Sequence, residues 1–333
     1  MAEFISTFIT GFQSVVESDL TQRFPKIKIL GLYDGLIYYR FDGDSRELEK
    51  IIYFNNTFFV LKSMKGKGLN FNSLVGAVCS SKNYFLVNKG SFRIRFVQEN
   101  QFAKVDKSLT HRAEEYVLAN SKLKLDRLSP TNEVWFSIRR EGFAFCGELI
   151  TKREFTEKNL NKGELRPEIA YFLCCFADVQ PSDIILEPFC GYGSIPVQLV
   201  KKFRFQKLYI SDIEEERLEL TKARKQIVQA PEGLIDCRTA DALLLNHIND
   251  NSIRLIISDP PWGFFEDIGD IKDFYNKMFK SFSRVLSPDG RMVILSARKE
   301  ELEQTACANG FKIKNSLHTL VNGKKACVYL ICR

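Results

Sequence analysis

The second half of the chain alternates short apolar runs with longer amphipathic stretches. Five apolar runs have the length of one strand, and all but the last carry an acidic residue near the carboxyl end: DIILEPF, KLYISD, IDCRTAD, IRLIISD and RMVILSA. Helical patterns lie between several of them, as in IEEERLELTKARKQIVQ and IKDFYNKMFKSFSRVL. Strands that alternate with helices pair in parallel, so residues 166–333 are expected to form a doubly wound parallel sheet.

The last two apolar runs, FKIKNSL and KKACVYLICR, follow each other without a helix between them. A short loop with the pair Asn322-Gly323 joins them, and such a loop makes an antiparallel hairpin. The pattern therefore predicts an α/β domain whose seven strands are mostly parallel, with an antiparallel last strand.

Residues 1–150 mix strand and helix patterns in a less regular order. FQSVVESDLTQRF, SRELEKIIYF and KSLTHRAEEYVLANS have helical spacing, and LIYYRFDGD is typical of a strand that ends in a turn. In SFRIRFVQ, apolar side chains alternate with Arg93 and Arg95, which predicts a strand with one apolar and one basic face. EVWFSIRREGFAFCGELI is expected to form two strands joined by a turn at residues 140–142. The charge-rich stretch 151–165 is interpreted as a linker.

Composition excludes several classes of protein. With 333 residues, 45% of them hydrophobic and 27% charged, the chain has the balance of a globular protein of about two domains. No apolar run predicts a membrane span, and the first residues lack the features of a signal peptide. Nine cysteines occur without a C-x-x-C pair and with only three histidines, so neither a metal site nor a disulfide framework is expected. Reduced thiols in a cytoplasmic protein are the simplest interpretation.

Nearly all of the net charge of +7 lies in the first half of the chain. Residues 1–165 contain 25 Lys and Arg against 19 Asp and Glu, whereas the remainder contains 23 against 22. A basic module beside a nearly neutral one favours a nucleic-acid-docking domain joined to a working domain, although ordinary solubility would explain the same excess. The candidate phosphate contacts are cations of the first half: Arg93, Arg95, Lys104, Lys107, Arg139 and Arg140. For each of them, the alternative is a solvated surface charge.

A glycine-containing turn follows the first strand of the second half, in ILEPFCGYGSIPVQL. Glu187 ends the strand, and Gly191 and Gly193 allow a tight turn in which a ligand can approach the backbone. Pro196 replaces the third glycine of a dinucleotide fingerprint, and no Lys-Ser/Thr pair of a nucleotide P-loop is present. An acidic strand end with G-x-G suits a cofactor with little or no phosphate, while a purely structural turn is the alternative.

Two further acidic residues end the next strands. Asp212 follows the glycines by about 20 residues, a spacing at which a carboxylate can accept both hydroxyls of a ribose. Asp241 ends the third strand, where a carboxylate could bind an adenine amino group. Capping of the following helix is the alternative for both residues.

The fourth strand runs into Asp259-Pro260-Pro261-Trp262. Two prolines donate no ladder hydrogen bonds, so the chain leaves the sheet abruptly and holds Asp259 and Trp262 at fixed positions. A carboxylate, a rigid backbone carbonyl and a flat ring together suit the capture of a planar base that carries an exocyclic amine. The alternative is a proline-stiffened connection with a core tryptophan.

This order of motifs resembles that of class I S-adenosylmethionine-dependent amino-methyltransferases, which have a Rossmann-like fold. In the first half, GFQSVVESDLTQRF resembles the start of the ferredoxin-like region of THUMP-bearing RNA methyltransferases. FRIRF, HRAEEYVLA and VWFSIRREGFAFCGELI resemble the THUMP domain itself. The resemblance implies a ferredoxin-like region at 1–80, a THUMP-like RNA-binding domain at 81–150, a linker at 151–165 and the methyltransferase domain at 166–333.

The resemblance also implies a role for each matched residue. The glycine loop would approach the methionine part of S-adenosylmethionine, Asp212 the ribose and Asp241 the adenine edge. The implied cofactor-binding residues are Arg166, Pro167, Glu187, Phe189, Gly191, Gly193, Asp212, Ile213, Asp241 and Ala242. The implied target-base pocket consists of Asp259, Pro260, Pro261 and Trp262. Relatives with this architecture methylate N2 of guanine in structured RNA, and the short chain with its THUMP-like module favours tRNA over ribosomal RNA.

The chain departs from the family pattern at three positions. Tyr192 stands where Ser is commoner, Pro196 lies in the first turn of a helix, and Trp262 replaces the usual Tyr or Phe, which leaves the target base open. The alternatives are guanine-N2 methylation of ribosomal RNA, adenine-N6 methylation of RNA or DNA, and an inactive RNA-binding scaffold. A cysteine-dependent pyrimidine C5 methyltransferase is disfavoured, because the fourth motif has Trp262 where one such family needs a nucleophilic Cys, and Cys190 of the cofactor loop is expected to pack beneath that loop. The sequence leaves open whether the protein is a monomer or a dimer.

Overall fold

A computed structural model of the protein describes residues 2–152, 160–264 and 268–333. These residues form two compact units, one of 2–8 with 20–152 and the other of 9–19 with 160–333. Helix α1, Gln13–Arg23, begins in the second unit and ends in the first. Of the predicted linker 151–165, residues 153–159 lie outside the described residues.

The first unit is an α+β arrangement built on one sheet. Its helices are α2 Ser45–Glu49, α3 Phe71–Cys79 and α4 Lys107–Asn120. Its strands are β1 Ala2–Thr7, β2 Lys28–Tyr33, β3 Leu36–Phe41, β4 Asn56–Lys65, β5 Ser91–Gln98, β6 Gln101–Phe102, β7 Lys124–Leu125, β8 Asn132–Arg139 and β9 Phe143–Lys152. The sheet order is β2-β3-β1-β4-β9-β8-β5-β6, with β7 beside β5.

The alternating pattern of β5 has the predicted consequence. Phe92 and Phe96 are buried in a core shared with α3 and α4, while Arg93 lies on the other face and pairs with Glu133 of β8. The predicted hairpin of β8 and β9 also forms, with its turn at residues 140–142. Because β4 pairs with β9, residues 1–80 and 81–150 share one sheet, and the boundary at residue 80 stays a prediction.

One predicted helix of this unit is shorter than its pattern suggests. The stretch SRELEKIIYF was expected to be helical throughout, but α2 ends at Glu49. The chain after α2 is irregular, and its apolar side chains Ile51, Tyr53 and Phe54 are buried. Burial of these side chains in the tertiary structure therefore outweighs the local preference for a helix there.

The second unit contains helices and strands in alternation. Its helices are α5 Pro167–Phe176, α6 Ser194–Lys202, α7 Glu215–Lys222, α8 Lys225–Val228, α9 Ile271–Val285 and α10 Lys299–Ala308. Its strands are β10 Ile184–Glu187, β11 Lys207–Asp212, β12 Ile235–Thr239, β13 Ile253–Ser258, β14 Leu286–Ser296, β15 Lys312–Val321 and β16 Lys324–Cys332. The stretch predicted as one helix at residues 213–229 is two, α7 and α8, interrupted at residues 223–224.

The seven strands of this unit form one mostly parallel sheet in the order β12-β11-β10-β13-β14-β16-β15. Strand β16 is antiparallel to both of its neighbours, and the turn that precedes it has positive φ at Asn322 and Gly323, as a type I′ hairpin requires. The predicted fold class is confirmed. Strand order reverses between β10 and β13, and ligands of such sheets bind outside the carboxyl ends of the strands at this point.

Residues 9–19 complete the second unit, although they lie far from it in sequence. Thr319 of β15 donates a hydrogen bond to the Thr10 carbonyl at 2.8 Å, and the Phe12 ring stacks on Phe172 of α5 with centroids 4.4 Å apart. The Tyr171 hydroxyl donates to Asp19. The sequence interpretation placed this segment with residues 1–80, because its helical pattern carries no information about the surface on which it packs.

We expect Gly11→Ala to destabilise the protein strongly. Gly11 has a φ of +91°, and a Cβ there would lie 1.8 Å from the His318 carbonyl oxygen, which is backbone and cannot move aside. Backbone strain and overpacking together predict a loss of roughly 2–6 kcal/mol in unfolding free energy. Thermal and denaturant unfolding measure it.

Gly310→Ala is the matched control. Gly310 has a φ of +82° but open space around its Cβ position, so its substitution introduces the backbone strain without the collision. Equal destabilisation by the two substitutions would contradict the packing of residue 11 against β15.

Candidate active site

The carboxyl ends of β10 and β13 meet at the reversal of strand order. The two strands pair directly, with Leu186 beside Ile256. The Ser258 hydroxyl donates a hydrogen bond to Glu187 Oε1 at 2.9 Å, which joins the two strand ends. The glycine loop that follows β10 and the proline motif that follows β13 therefore begin side by side.

Glu187 is buried and incompletely hydrogen-bonded. Its Oε1 also accepts from the Phe189 N–H at 3.1 Å, whereas its Oε2 has no hydrogen-bond partner among the described residues. Burial raises the pKa of Glu187 well above its usual range, and the nearby carboxyls of Asp259 and Asp212 raise this pKa further. A cationic group placed against Glu187 would donate a hydrogen bond to Oε2 and would favour the ionised form of this carboxyl.

The loop after β10 turns at two glycines with different requirements. Gly191 and Gly193 have φ values of +50° and +80°, in the left-handed region that favours glycine. No atom lies within 4 Å of the Cβ position of Gly191, whereas a Cβ on Gly193 would come within 2.8 Å of the Thr221 side chain. Gly191 thus leaves open space over the backbone, and Gly193 permits close packing against α7.

Three side chains that the sequence interpretation missed hold this loop. The Thr221 hydroxyl donates to the Gly191 carbonyl at 2.9 Å, and Arg224 Nε donates to the Tyr192 carbonyl at 3.1 Å. The Arg224 guanidinium also pairs with Glu164 at 2.5 Å. Glu164 belongs to the predicted linker but is buried. The extended backbone at Arg224 separates α7 from α8, and these contacts coincide with the break in the predicted helix.

Asp212 connects the glycine loop to β11. Its Oδ2 accepts from the Gly191 N–H at 2.7 Å and its Oδ1 from the Glu214 N–H at 3.0 Å. Helix α7 is capped at Glu214 and not at Asp212, so the capping alternative considered from the sequence does not hold in its simple form. Each carboxylate oxygen keeps a further lone pair for a hydroxyl donor. Ile213 is 67% exposed beside it and offers an apolar surface.

The other predicted cofactor residues have clear structural partners. Asp241 Oδ1 accepts from the Leu243 N–H at 2.8 Å and so stabilises a turn, and Ala242 is buried. Arg166 precedes α5 and pairs with the buried Glu168, and Pro167 is the first residue of that helix. Their predicted contacts with the cofactor stay predictions.

The residues around the glycine loop fit S-adenosylmethionine. The unpartnered Glu187 oxygen suits an ammonium group, and the open space over Gly191 admits a ligand close to the backbone. Asp212 can accept ribose hydroxyls, and the exposed side chain of Ile213 suits the flat face of adenine. These are the parts of a cofactor that carries no phosphate.

The proline motif presents a carboxyl group with an unused oxygen. Asp259 Oδ1 is buried and accepts no hydrogen bond from the described residues. Burial raises the pKa of Asp259 to about 7, and the nearby Trp262 side chain acts in the opposite direction. The Trp262 indole N–H lies 3.4 Å from the Leu295 carbonyl, and its ring is half-buried. The motif is therefore fixed in place while one acceptor stays available.

A second layer of hydrogen bonds positions Trp262. Arg298 Nε donates to the Trp262 carbonyl at 2.8 Å, and the Arg298 N–H donates to Ser296 Oγ at 2.9 Å. Ser296 Oγ also lies 2.8 Å from the hydroxyl of the buried Tyr275. Sequence reasoning did not identify Arg298, because its place beside residue 262 depends on how β14 and α10 pack.

Two of the six candidate phosphate contacts are occupied by the protein itself. Arg139 is only 8% exposed, donates to the Asp34 carbonyl and to Asn100, and pairs with Glu141. Arg93 pairs with Glu133. An arginine so engaged would have to break these bonds to reach a phosphate, so we remove both from the candidate contacts. The buried Arg139 stabilises a turn instead.

The other four candidates differ in setting. Arg95 Nε forms an ion pair with Glu133 at 3.8 Å and its guanidinium lies over the exposed Phe102 ring at 4.8 Å, so we leave it out of the candidate contacts as well. Lys104 and Lys107 are exposed. Arg140 is exposed and lines a cleft of about 670 Å³ in the first unit. Lys67, two residues after the end of β4, lines the same cleft.

Alternative chemistries find little support in the described part of the chain. Cys190 is buried, and burial raises the pKa of its thiol, which is the reverse of what a nucleophile needs. No group of three His, Cys, Asp or Glu is placed to hold a metal ion within residues 2–152, 160–264 and 268–333. Over the same ranges, no helix has the length and apolarity to cross a membrane.

Comparison with known proteins decides the family. Residues 153–329, more than half of the chain, match the family described as UPF0020: RMKL-like, methyltransferase domain. The chain belongs to this methyltransferase family. The resemblance drawn from the motifs is thereby confirmed, as are the predicted class of enzyme and its cofactor, S-adenosylmethionine.

Relatives of this methyltransferase match well beyond the family domain. It is 27% identical to the tRNA (guanine(6)-N2)-methyltransferase of Thermus thermophilus over 69% of each chain. It is 23% identical to the protein of the same name from Methanocaldococcus jannaschii over 99% of each chain. The crystal structure of TrmN from Thermus thermophilus aligns over 100% of both chains with a TM-score of 0.79 at 20% identity, which shows a shared fold.

Proposed function

We propose that this methyltransferase transfers a methyl group from S-adenosylmethionine to the exocyclic N2 amine of a guanosine in tRNA. The observation that carries the proposal is the buried, unpartnered Asp259 Oδ1 in a motif that starts beside the cofactor loop. The relatives named above are guanine-N2 methyltransferases of tRNA, which supports both the base and the RNA. The nine unpaired cysteines support a cytoplasmic location.

The proposed target-base pocket holds an amine through two fixed hydrogen-bond acceptors and a stacking ring. We assign Asp259 and the Pro260 carbonyl as acceptors for the two N–H groups of guanine N2, with Pro261 fixing the backbone and Trp262 stacking on the extruded ring. S-adenosylmethionine supplies an electrophilic methyl group. By fixing the amine, the pocket directs the nitrogen lone pair toward that group, which is chiefly an effect of proximity.

Asp259 can also accept the proton that the amine loses after methylation. Transfer of the methyl group would break its bond to the sulfonium sulfur of the cofactor, which leaves as a neutral thioether, and the new nitrogen–carbon bond would leave the amine positively charged. The nitrogen then loses a proton to the Asp259 carboxylate or to water. A carboxyl whose pKa is about 7 is ionised to a useful degree near neutral pH, so it can take that proton without a separate base.

RNA docking is assigned to the first unit. We propose the exposed cations of its cleft and around the start of α4 as phosphate contacts: Lys67, Arg140, Lys104 and Lys107. Phosphate contacts position an RNA without reading its sequence, which suits a module that presents a structured RNA to a separate active site.

The adjacent arginines 139 and 140 test this assignment. We expect Arg140→Gln to weaken tRNA binding without changing cofactor affinity. The slope of log tRNA affinity against log salt concentration should become shallower by the amount that about one released counterion contributes. Arg139→Gln should instead lower the unfolding temperature, because it removes hydrogen bonds from a buried group. Filter binding at several salt concentrations and thermal unfolding measure the two effects. The reverse outcome, with Arg139 controlling the salt dependence, would contradict the assignment.

The proposed substrate class is tested with labelled methyl transfer. Total RNA and genomic DNA from a strain that lacks the enzyme are incubated with the protein and labelled S-adenosylmethionine, and the DNA and the RNA size fractions are then separated. Label in the tRNA fraction is expected. Label confined to ribosomal RNA would replace tRNA with that alternative, and label in DNA alone would refute an RNA methyltransferase.

A further inference from the structure

One arginine of α9 holds the loop between β12 and β13, residues 240–252. Arg284 lies in the last turn of that helix. Its Nη2 donates to the Leu244 and Leu245 carbonyls at 3.1 and 2.9 Å. Its Nη1 donates to the Ile248 carbonyl at 3.0 Å. A single guanidinium therefore contacts three backbone acceptors of one loop.

The backbone of the loop is unusual where the arginine holds it. Leu245 is buried and has a φ of +48°, and Asn251 has a φ of +53°. This left-handed region is uncommon for a leucine and persists only where the surrounding contacts fix the chain. The Asn251 N–H donates to the Arg284 carbonyl at 3.0 Å. The side chain and the main chain of Arg284 thus hold both left-handed positions.

The same peptide groups connect Arg284 to Asp241. The N–H groups of Leu244 and Leu245 donate to the Asp241 carbonyl at 3.1 and 2.9 Å. The carbonyls of these two leucines are the ones that accept from Arg284 Nη2. The Asp241 side chain is fixed in turn, because its Oδ1 accepts from the Leu243 N–H at 2.8 Å. A shift of the guanidinium would therefore move the turn that carries the Asp241 carboxylate.

This turn begins beside the residue predicted to bind the ribose. Strands β11 and β12 pair in parallel with Asp212 beside Thr239, and the Ala240 N–H donates to the Asp212 carbonyl at 3.0 Å. Adenine is bonded directly to the ribose in S-adenosylmethionine. An acceptor for the adenine amine is therefore expected close to Asp212, and Asp241 offers a carboxylate there.

We propose that Arg284 is a positioning residue for S-adenosylmethionine, which fixes the turn at Asp241 so that this carboxylate accepts a hydrogen bond from the adenine amine. Arg284 acts through the loop and not by touching the cofactor. A guanidinium suits this task, because its planar set of N–H donors can span several carbonyls, whereas an ammonium is a compact point charge. The inference rests on the predicted contact between Asp241 and adenine, and it is independent of the RNA and of the base that is methylated.

The preference for adenine over an analogue without the amine tests this role. Calorimetry compares S-adenosylhomocysteine with S-inosylhomocysteine, in which a keto oxygen replaces the amine. We expect wild type to bind the adenosyl compound about a hundredfold more tightly, because the keto oxygen offers Asp241 no donor. Arg284→Lys should lower this preference to about tenfold or less, since an ammonium cannot hold the three carbonyls at once. A purely structural role would weaken the binding of both compounds equally and leave the preference unchanged.

Arg254 provides the matched control. It is exposed on β13 and pairs with Asp289 at 2.8 Å, as Arg284 pairs with Asp250 at 2.5 Å. Arg254→Lys makes the same chemical change in the same unit and should leave the preference at the wild-type value. Asp250→Asn removes the ion pair of Arg284 but none of its carbonyl contacts, and it should also leave the preference unchanged.

Asp241→Asn shows whether Arg284 acts through this residue. It should lower the preference as Arg284→Lys does, and the double variant should lower it little further, because the two residues act in one chain of contacts. The proposal is overturned by an unchanged preference in Arg284→Lys or in Asp241→Asn, and also by an equal loss in Arg254→Lys. Because only cofactor binding is measured, transfer to guanosine in tRNA stands or falls separately, on the labelling of tRNA and the analysis of its nucleosides.

Discussion

Asp259→Asn is expected to lower the rate of methyl transfer by about a thousandfold while S-adenosylmethionine binds as tightly as before. Asn has the same shape but presents an amide that cannot take a proton and is a weaker acceptor for an amine. Asp259 Oδ1 has no other partner among the described residues, so replacing this oxygen acceptor affects only the proposed contact with the substrate. Single-turnover transfer and calorimetric titration with the cofactor measure the two quantities. Lost cofactor affinity in the variant would refute the role.

The pH dependence of this variant separates chemistry from folding. The pKa of Asp259 is raised to about 7 in the folded protein, above its value in the unfolded chain. Between about pH 4 and pH 7 the folded protein therefore holds a proton that the unfolded chain has lost, so this carboxyl destabilises the protein increasingly as the pH rises. Asp259→Asn should match wild type in stability near pH 4 and exceed it above pH 7. Transfer by wild type should increase with pH through about 7.

Asp212→Asn should weaken S-adenosylmethionine binding by about a hundredfold. The Asp212 carboxylate accepts from the Gly191 and Glu214 N–H groups, and an amide nitrogen in its place would face at least one of these donors. The substitution therefore removes a proposed ribose acceptor and loosens the glycine loop at once. Calorimetry with the cofactor, or with its demethylated product, measures the loss.

An acidic residue in the next helix provides the control for Asp212. Glu216 is exposed in the first turn of α7, and Glu216→Gln removes the same charge a short distance away. It should leave cofactor affinity unchanged. If the two substitutions weakened binding equally, the effect of Asp212 would be one of general charge, and its assignment to the ribose would be wrong.

Much of the fold and part of the site follow from local patterns. Each of the acidic residues singled out lies at or just beyond the carboxyl end of a strand, and parallel strands bring such ends to one edge of a sheet. Glu187 and Asp259 are therefore expected at the same edge of the sheet, and the pairing of β10 with β13 in the structure brings them side by side. The final hairpin is equally local, because Asn322-Gly323 allows few other connections.

The supporting contacts could not be predicted in the same way. Thr221 and Arg224 occur in a stretch with a helical pattern, and nothing in that pattern indicates that they bind the glycine loop. Residues 9–19 likewise pack on strand β15, more than 290 residues away in sequence. Arg139 and Arg140 are adjacent and chemically identical, yet only the first is buried. Such differences arise from tertiary packing, which leaves no periodic signal in one sequence.

The central claim is that the methyl acceptor is the N2 amine of guanosine. Trp262 in place of the usual Tyr or Phe, and an Asp-Pro-Pro motif that suits either amine, make adenine N6 the competing acceptor. The most direct measurement is nucleoside analysis of tRNA methylated by the purified protein, with chromatography and mass detection of every methylated nucleoside. We predict N2-methylguanosine in wild-type product and none in product from Asp259→Asn. N6-methyladenosine as the labelled nucleoside would contradict the assignment of the base pocket.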